Sequence, residues 1–565
     1  MVYYAAMDFS VAHFSALFLA PTCVVGVLAA VHATGYLHGE ELRRAPWFWL
    51  YFVGTLVAMV GVVLSPNMFL FLLAWEAMGL LSSGLVGFES ESKESRLATW
   101  IYLLACHAGA ICLILAGALA LRPDPCWPAV WYLALAGFGL KIGFPPFHVW
   151  LPEAHPAAPA PASAVMSGAM IPLGFYGLLA FFVLGPLHLR VPAALLPHMG
   201  WSLLVFGAVA ALGGILFALP QRNIKRLLAF SSVENMGVIG LGLSLAAWGL
   251  FEEGKGSTVA SLAFFGALLH VLNHAFLKGG LFLGAGSVLR MTGTLDMDRL
   301  GGLMKRMPGT GTLFTLNALG LSGLPPLNAF ASEFLIYLAG FKALSAGVCV
   351  LPASLVLIVL ALTGGVATAA YTKVVSAVFL GEARSDLSKV TETPKRMVFA
   401  QAVLFALSLL TSLGVAGWAQ FTFGCPVFTL MGCFYGVVGT LLLVRRLLPR
   451  GKEHPRRPTW DCGYAEPTAR MAWTGTAFSQ PLADTFGAIL RPRVHMRHVK
   501  GLFPGDSAIA VETDDAGVAR FWGPIFHVCA RLFQRTHLLQ NGSLHFYVLL
   551  MILAVAALLI WGALS

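Results

Sequence analysis

Residues 137–155 read GFGLKIGFPPFHVWLPEAH, which places Lys141 inside an apolar run and breaks that run at Pro145 and Pro146. What such a lysine means depends on the solvent around it. The chain is 58% hydrophobic and only 11% charged, with a mean hydropathy of +0.79, whereas a soluble domain is nearer half apolar and a quarter charged. Apolar runs of about twenty residues recur along it, the length needed to cross a bilayer. No alternating β-barrel pattern is present, so the spans must be helices that satisfy their own backbone groups. The expectation is an all-α polytopic membrane protein.

About fourteen spans are expected, near 11–32, 47–64, 67–88, 97–121, 129–145, 161–184, 200–219, 224–248, 257–288, 309–346, 350–380, 397–420, 426–446 and 544–563. The first has no basic flank and no small-residue cleavage site, and reads as a retained helix. The run 309–346 is too long for one straight helix and contains GLPPL, so it is taken as one interrupted span. With the N-terminus outside, alternate loops carry Arg43, Arg44, Lys93, Arg96, Arg222, Lys225, Arg226, Arg299, Lys305, Arg306, Lys395 and Arg396. The opposite loops hold only Arg122, Arg190, Lys255 and Lys342. This asymmetry assigns the basic loops to the cytoplasmic side and both termini to the other. The formal charge of +10 then follows from topology and anionic lipid, and no nucleic-acid partner is needed.

Between about 447 and 543 lies the only sizeable stretch expected not to span. It is basic (RRLLPRGKEHPRR, RPRVHMRHVK), with an acidic ETDD patch and an amphipathic run, FWGPIFHVCARLFQRTHLL. That run suits either the membrane interface or the surface of another subunit. The nine cysteines form no CxxC pair, and neither a Walker loop nor a GxGxxG after a strand occurs. The reading is a chain with no catalytic residues, no metal site and no cofactor of its own.

The opening stretch has a counterpart. GFGLKIGFPPFHVWLPE and ALGLSGLPPLNAFASE share a GL, a Gly–apolar–Pro–Pro break, and a glutamate seven residues past the second proline, Glu153 and Glu333. In the topology above, the two broken spans run in opposite directions. Inverted repeats with interrupted helices are a transporter architecture whose site lies at the breaks.

A charge at the bilayer centre costs a few kcal/mol or more, so each requires a partner or a wet path. Glu76, Lys141, His270, His274, Lys278 and Glu333 all fall within spans. The spacing of His270, His274 and Lys278 puts them on one helical face over about 12 Å. Histidine titrates near neutrality and the proton affinity of lysine responds to its surroundings, so such a row can pass protons. The competing reading, helix cross-links and caps, suits any one of them better than the set. Lys373 lies near a span end and could simply snorkel. Lys225 beside Arg222 and Arg226 reads equally well as a positive-inside anchor. Trp75 and Trp150 read as packing or interface anchors. Glu234, midway along its span, either accepts a buried hydrogen bond or joins the row.

LLAWEAMGLLSSGLVGFE, KIGFPPFHVWLPEAHPAAPAPASAVMSGAMI, NIKRLLAFSSVENMGVIGLGL, HVLNHAFLKGGLFLGAGSVLRMTGT and GLPPLNAFASEFLI together resemble the antiporter-like, proton-translocating subunits of the complex I and membrane-bound hydrogenase superfamily, over about residues 10–385. MSGAMI, SVENMG and WDCGYAEPTARMAWTGTAFSQPL look most like its hydrogenase-4 component B and formate hydrogenlyase subunit 3 branch. The resemblance implies two inverted five-helix units, each with a half-channel. The division expected is a peripheral N-terminal helix (1–46), a first repeat (47–184), a second repeat (200–381), C-terminal helices (397–446), the basic segment (447–543) and a final span (544–565). It further implies that Glu76 and Lys141 form an ion pair coupled to neighbouring subunits, that Lys225, His270, His274 and Lys278 carry protons, and that Glu333 is terminal. Glu153, Glu234 and Lys373 are further candidates. Two departures stand out. In the helix after PEAHPAAPAP the family usually has a lysine or histidine, where this chain has Ser167 and Pro172. Either water, Ser163 or Ser167 bridges that gap, or conduction is weak. The match also begins near FSVAHFSALF, so one or two helices that usually precede it are expected to be replaced by a partner.

The function expected is a proton-translocating, non-redox subunit of a multisubunit redox-driven complex of hydrogenase, formate-linked or quinone-reductase type. Its place would be the cytoplasmic membrane of a bacterium or archaeon, its partners other membrane subunits, soluble redox subunits indirectly, and the bilayer. The alternatives are a cation/proton antiporter subunit, or a structural or coupling subunit with weakened conduction, including an ion-coupled module for bicarbonate uptake. The residues suit sodium as well as protons.

Overall fold

The computed structural model describes residues 11–183, 192–254, 257–325, 327–424, 426–448, 469–496, 509–513, 515 and 517–536. Within them thirteen helices are long and apolar enough to cross a membrane. The expected last span, 544–563, and the WDCGYAEP motif lie outside the described residues. In chain order the helices begin α1 (Val11–Tyr36), α2 (Ala45–Leu64), α3 (Met68–Val86), α4 (Lys93–Ala120), α5 (Trp127–Ile142), α6 (Leu151–Ala157), α7 (Ala160–Val165) and α8 (Leu173–Phe182). They continue with α9 (Leu196–Ala218), α10 (Ile224–Glu253), α11 (Thr258–Thr292), α12 (Pro308–Leu321), α13 (Asn328–Ala346), α14 (Val350–Phe379), α15 (Lys395–Phe423) and α16 (Val427–Leu447). A single π turn, Met166–Met170, joins α7 to α8.

The ends of these helices follow from local chemistry. Asn67, Ser92, Asn223 and Ser257 each accept a backbone N–H with the side chain at an N-cap, and proline stands in the first turn of α2, α5 and α12. The two expected breaks are built alike. Gly143 (φ 82°) ends α5 ahead of Pro145 and Pro146, and Gly323 (φ 64°) follows α12 ahead of its proline pair. Left-handed backbone at these two positions favours glycine. The interrupted run 309–346 is thereby resolved into α12 and α13.

Cross-loop contacts gather the basic loops at one face. Arg44 donates to the Phe88 carbonyl and pairs with Glu91; Met297 N–H donates to Arg222 O, and Gly302 N–H to Leu380 O; Lys305 pairs with Glu382. At the other face Cys349 N–H donates to Glu252 and Tyr132 meets His198. The first broken span (α5–α6) therefore ends at the basic face, whereas the second (α12–α13) starts there, so the two run in opposite directions.

α10 is buried along its whole apolar stretch and α11 along most of it, while α4 and α16 leave most of theirs exposed. The tightest seam is between α9 and α10. A methyl group on Gly237 would lie 2.2 Å from Ala211 N, and one on Gly214 2.5 Å from Glu234 N. Small residues allow this backbone approach, the usual basis of helix association in lipid.

Part of the basic 447–543 segment docks on the spans. Helix α17 (Gly475–Thr485) carries Thr476 in its first turn, whose N–H and hydroxyl both donate to Asp298, and Arg384 donates to Trp473 O. A short helix α18 (Gly487–Leu490) follows. Arg493–Met496 and Ile509–Glu512 pair as an antiparallel ribbon. The amphipathic run is helical as α19 (Gly523–Thr536) and belongs to a second compact unit beginning at Asp514.

Candidate functional site

Lys141 is the last charged residue of α5 and is only 5% exposed. Its ammonium lies 5.8 Å from the Trp75 ring, 5.1 Å from Tyr102 and 6.0 Å from Trp150, and donates to Tyr102 Oη at 3.1 Å and Cys106 Sγ at 3.5 Å. Three aromatic faces and two soft acceptors offset part of the cost of burying the charge. Trp75 and Trp150, read in sequence as anchors, form the walls. A cavity beside Lys141, lined by Trp75, Cys106, Gly109, Gly137 and Trp150, has room for about one water molecule.

The ion pair expected between Glu76 and Lys141 is not direct. Glu76 accepts from His107 at 2.9 Å, with both side chains part-exposed. The reason is helical geometry: Trp75 and Glu76 are consecutive on α3, as are Cys106 and His107 on α4, and consecutive residues point about 100° apart. Each helix therefore offers one residue to the lysine box and the next to the Glu76–His107 pair. The two groups are separate but adjacent, since Trp75 precedes Glu76 in α3 and Cys106 precedes His107 in α4.

The interior row lies between α10 and α11. Lys225 Nζ is buried and donates to Ala158 O at 2.5 Å and Pro156 O at 3.5 Å, so it points inward and does not snorkel to the surface as an anchor would. One turn further along α10, Leu228 O and Ser231 Oγ accept from Lys278; the Tyr371 ring lies 5.7 Å from its ammonium. His274 and His270 follow toward the opposite face. His270 bonds Asn235 Oδ1 at 3.1 Å and Ser332 Oγ at 2.9 Å. Ser332 adjoins Glu333 on α13. The Glu333 carboxylate packs against the glycine of the second break, 2.6 Å from where a Gly323 Cβ would stand. Glu234 is buried beside the row: it accepts from Asn235 and interacts electrostatically with both Lys278 and Glu333.

The remaining candidates sit apart. Glu153 pairs with Arg226 at 2.9 Å, both part-exposed at the basic face, so its sequence symmetry with Glu333 does not extend to its surroundings. Lys373 is fully buried and donates to Leu219 O and Gln221 O, both at 2.7 Å, the bonds of a clamp on the C-terminus of α9. Replacing Lys373 with methionine leaves two carbonyls without their donor. The expected cost is about 1–3 kcal/mol, read as a lower unfolding midpoint of the purified protein in detergent. Ser167 shares a hydrogen bond with Ser232 at 2.8 Å. Pro172 stands at the N-cap of α8, and its side chain carries no polar group.

Sequence reasoning overlooked His107, His155 and His32. His32 bonds Ser287 Oγ at 3.3 Å, and Gln401 donates to the same hydroxyl. Their signal was present, because each is an ionisable residue within or beside an apolar span. Among the described residues no group of three metal-ligating side chains comes together.

Comparison with known proteins identifies the family of the chain. Residues 128–361 match the family described as NADH:quinone oxidoreductase/Mrp antiporter, transmembrane. Hydrogenase-4 component B of Escherichia coli K12 is 34% identical, over 94% of this chain and 86% of that protein. Formate hydrogenlyase subunit 3 of the same organism is 31% identical, over 80% and 76%. In fold, the chain superposes on a chain of the membrane-bound sulfane sulfur reductase, an archaeal respiratory membrane complex, with a TM-score of 0.74 at 22% identity, over 97% of this chain and 88% of that one. Sharing a third of its residues with hydrogenase-4 component B along nearly its full length, the chain belongs to the antiporter-like membrane subunits of the NADH:quinone oxidoreductase, hydrogenase and Mrp antiporter family.

Proposed function

We propose that this chain moves protons for a redox-driven membrane complex through the row Lys225–Lys278–His274–His270–Glu333, with Lys141 as the switch. One observation carries the reading: ionisable residues that the sequence scatters over α10, α11 and α13 lie buried in one row, from Lys225 on the Ala158 carbonyl at the basic face to Glu333 at the second helix break. Isolated structural cross-links would not need to align. The Glu76–His107 pair is part-exposed on the α3–α4 side, where a charge change in a neighbouring subunit can act on it. Cys106, which accepts from Lys141, is next to His107 in α4, so a displacement of the pair moves the wall of the lysine box. The partners are other membrane subunits and, through them, the soluble redox subunits of a hydrogenase, formate-linked or quinone-reductase complex, in the cytoplasmic membrane of a bacterium or archaeon.

Inverted membrane vesicles energised in turn by dihydrogen, formate and NADH test this. Lys141→Ala and Glu333→Gln are each expected to lower proton uptake per electron by tenfold or more, with complex yield retained. Unchanged uptake in both would end the proposal. The family description also names Mrp antiporters, which favours cation/proton exchange as the second reading. Sodium- or potassium-driven proton movement without any electron donor would establish it.

A further inference from the structure

The relay reading leaves a gap between Lys225 and the centre of the row, because α7 and the π turn that follows it carry Ser163 and Ser167 in place of a basic residue. Those serines are already engaged. Ser163 Oγ donates to His155 O at 2.9 Å, with Ala158 O and Pro159 O also in reach, and Ser167 is bonded to Ser232. Neither offers a titrating group.

His155, on α6, occupies this gap. It is wholly buried, its ring lies 5.1 Å from Phe282 and 6.0 Å from Trp150, and neither ring nitrogen has a hydrogen-bond partner in the protein. Buried polar side chains nearly always have one, so two free nitrogens on one ring mark a site kept for a transient partner. The titratable groups that act on it are basic. Lys225 of α10 and Lys278 of α11 both interact with it electrostatically, and so does His274, whose two ring nitrogens are likewise unpartnered. The carbonyls that hold Lys225 belong to Pro156 and Ala158, one and three residues past His155.

We propose that His155 is the proton carrier that joins Lys225 to Lys278 and His274, taking the place of the missing basic residue in the following helix. Imidazole suits the step. One ring nitrogen accepts a proton from the Lys225 ammonium as the other releases its own to the Lys278 amine or to His274, over a hydrogen bond or one bridging water. One proton enters, one leaves, and no electrons move.

The residue at the N-cap of this short helix ties the junction to the switch. Trp150 Nε1 donates to Leu140 O at 2.7 Å, and its ring lies 6.0 Å from both the Lys141 ammonium and the His155 ring. One indole therefore contacts the residue before the switch, the switch itself and the carrier.

The inference rests on the relay reading, and the test separates the two. In the same vesicles His155→Gln keeps a donor, an acceptor and similar bulk but cannot titrate, and His155→Phe keeps only bulk. Both are expected to cut protons moved per electron by roughly tenfold or more, with electron transfer and complex yield retained. Should the phenylalanine variant fail to assemble, the glutamine variant decides. Uptake within twofold of wild type in His155→Gln, with Glu333→Gln inactive, overturns the role of His155 alone. Normal uptake in Glu333→Gln as well would overturn the relay and this inference together.

Discussion

Lys278→Met is expected to lower proton uptake per electron by roughly 10²-fold or more, the scale on which a positioned proton-transfer group contributes. Methionine keeps the length and bulk of lysine, so the space between α10 and α11 stays filled. What it removes is the ammonium whose protons lie on Leu228 O and Ser231 Oγ. Without it, His274 loses its charged neighbour and the nearest basic group toward the basic face becomes His155 or Lys225. The complex should still assemble, at a cost of about 1–3 kcal/mol for the lost donor, because Ser231 Oγ still donates to Leu228 O once the ammonium is gone. Proton uptake, electron transfer and complex yield, measured in one vesicle preparation, separate these effects. Equal uptake in wild type and variant would remove Lys278 from the path.

The second large effect is structural. Gly237→Leu is expected to prevent the chain from accumulating in the membrane, to less than about a tenth of the wild-type level. Even a single methyl group there meets backbone, 2.2 Å from Ala211 N and 2.6 Å from Gly207 O. Backbone cannot rotate aside as a side chain can, so α9 and α10 must separate. Overpacking a core by a few methylenes commonly costs about 1–3 kcal/mol, and occasionally more; here it also opens the seam behind Glu234. Gly213→Leu is the matched control, since nothing lies within 4 Å of its Cβ position. Membrane immunoblots and size exclusion in detergent read the outcome. Normal accumulation of Gly237→Leu would show that the seam tolerates separation.

The apolar runs identified the spans, because lipid leaves a helix few compositions to choose from, and the two Pro–Pro stretches marked the breaks. Spacing alone put His270, His274 and Lys278 on one face, and the first and last of them bond to α10. Other features depended on packing that no local pattern encodes. Glu76 was matched to Lys141 by resemblance, yet consecutive helical positions diverge, and it is His107 that meets the carboxylate. Lys225 read equally well as an anchor until the fold brought the Ala158 carbonyl against it. His155 sits in a proline-rich segment that reads as a connector, and only the return of α6 toward α10 and α11 reveals its neighbours. The docking of α17 on Asp298 joins residues almost 180 positions apart, a contact visible only in three dimensions.

The length of the α11 row has an electrical meaning. His270 to Lys278 covers about 12 Å of helix axis, against a hydrocarbon core about 30 Å thick. A proton crossing that section against the membrane field therefore meets roughly two-fifths of the transmembrane voltage. With one elementary charge worth about 2.3 kcal/mol per 100 mV, the section accounts for about 1 kcal/mol per 100 mV. If transfer along it limits the rate, turnover should slow about fivefold for each added 100 mV of opposing potential. The steepness of that dependence then reports how far the proton travels in its slowest step.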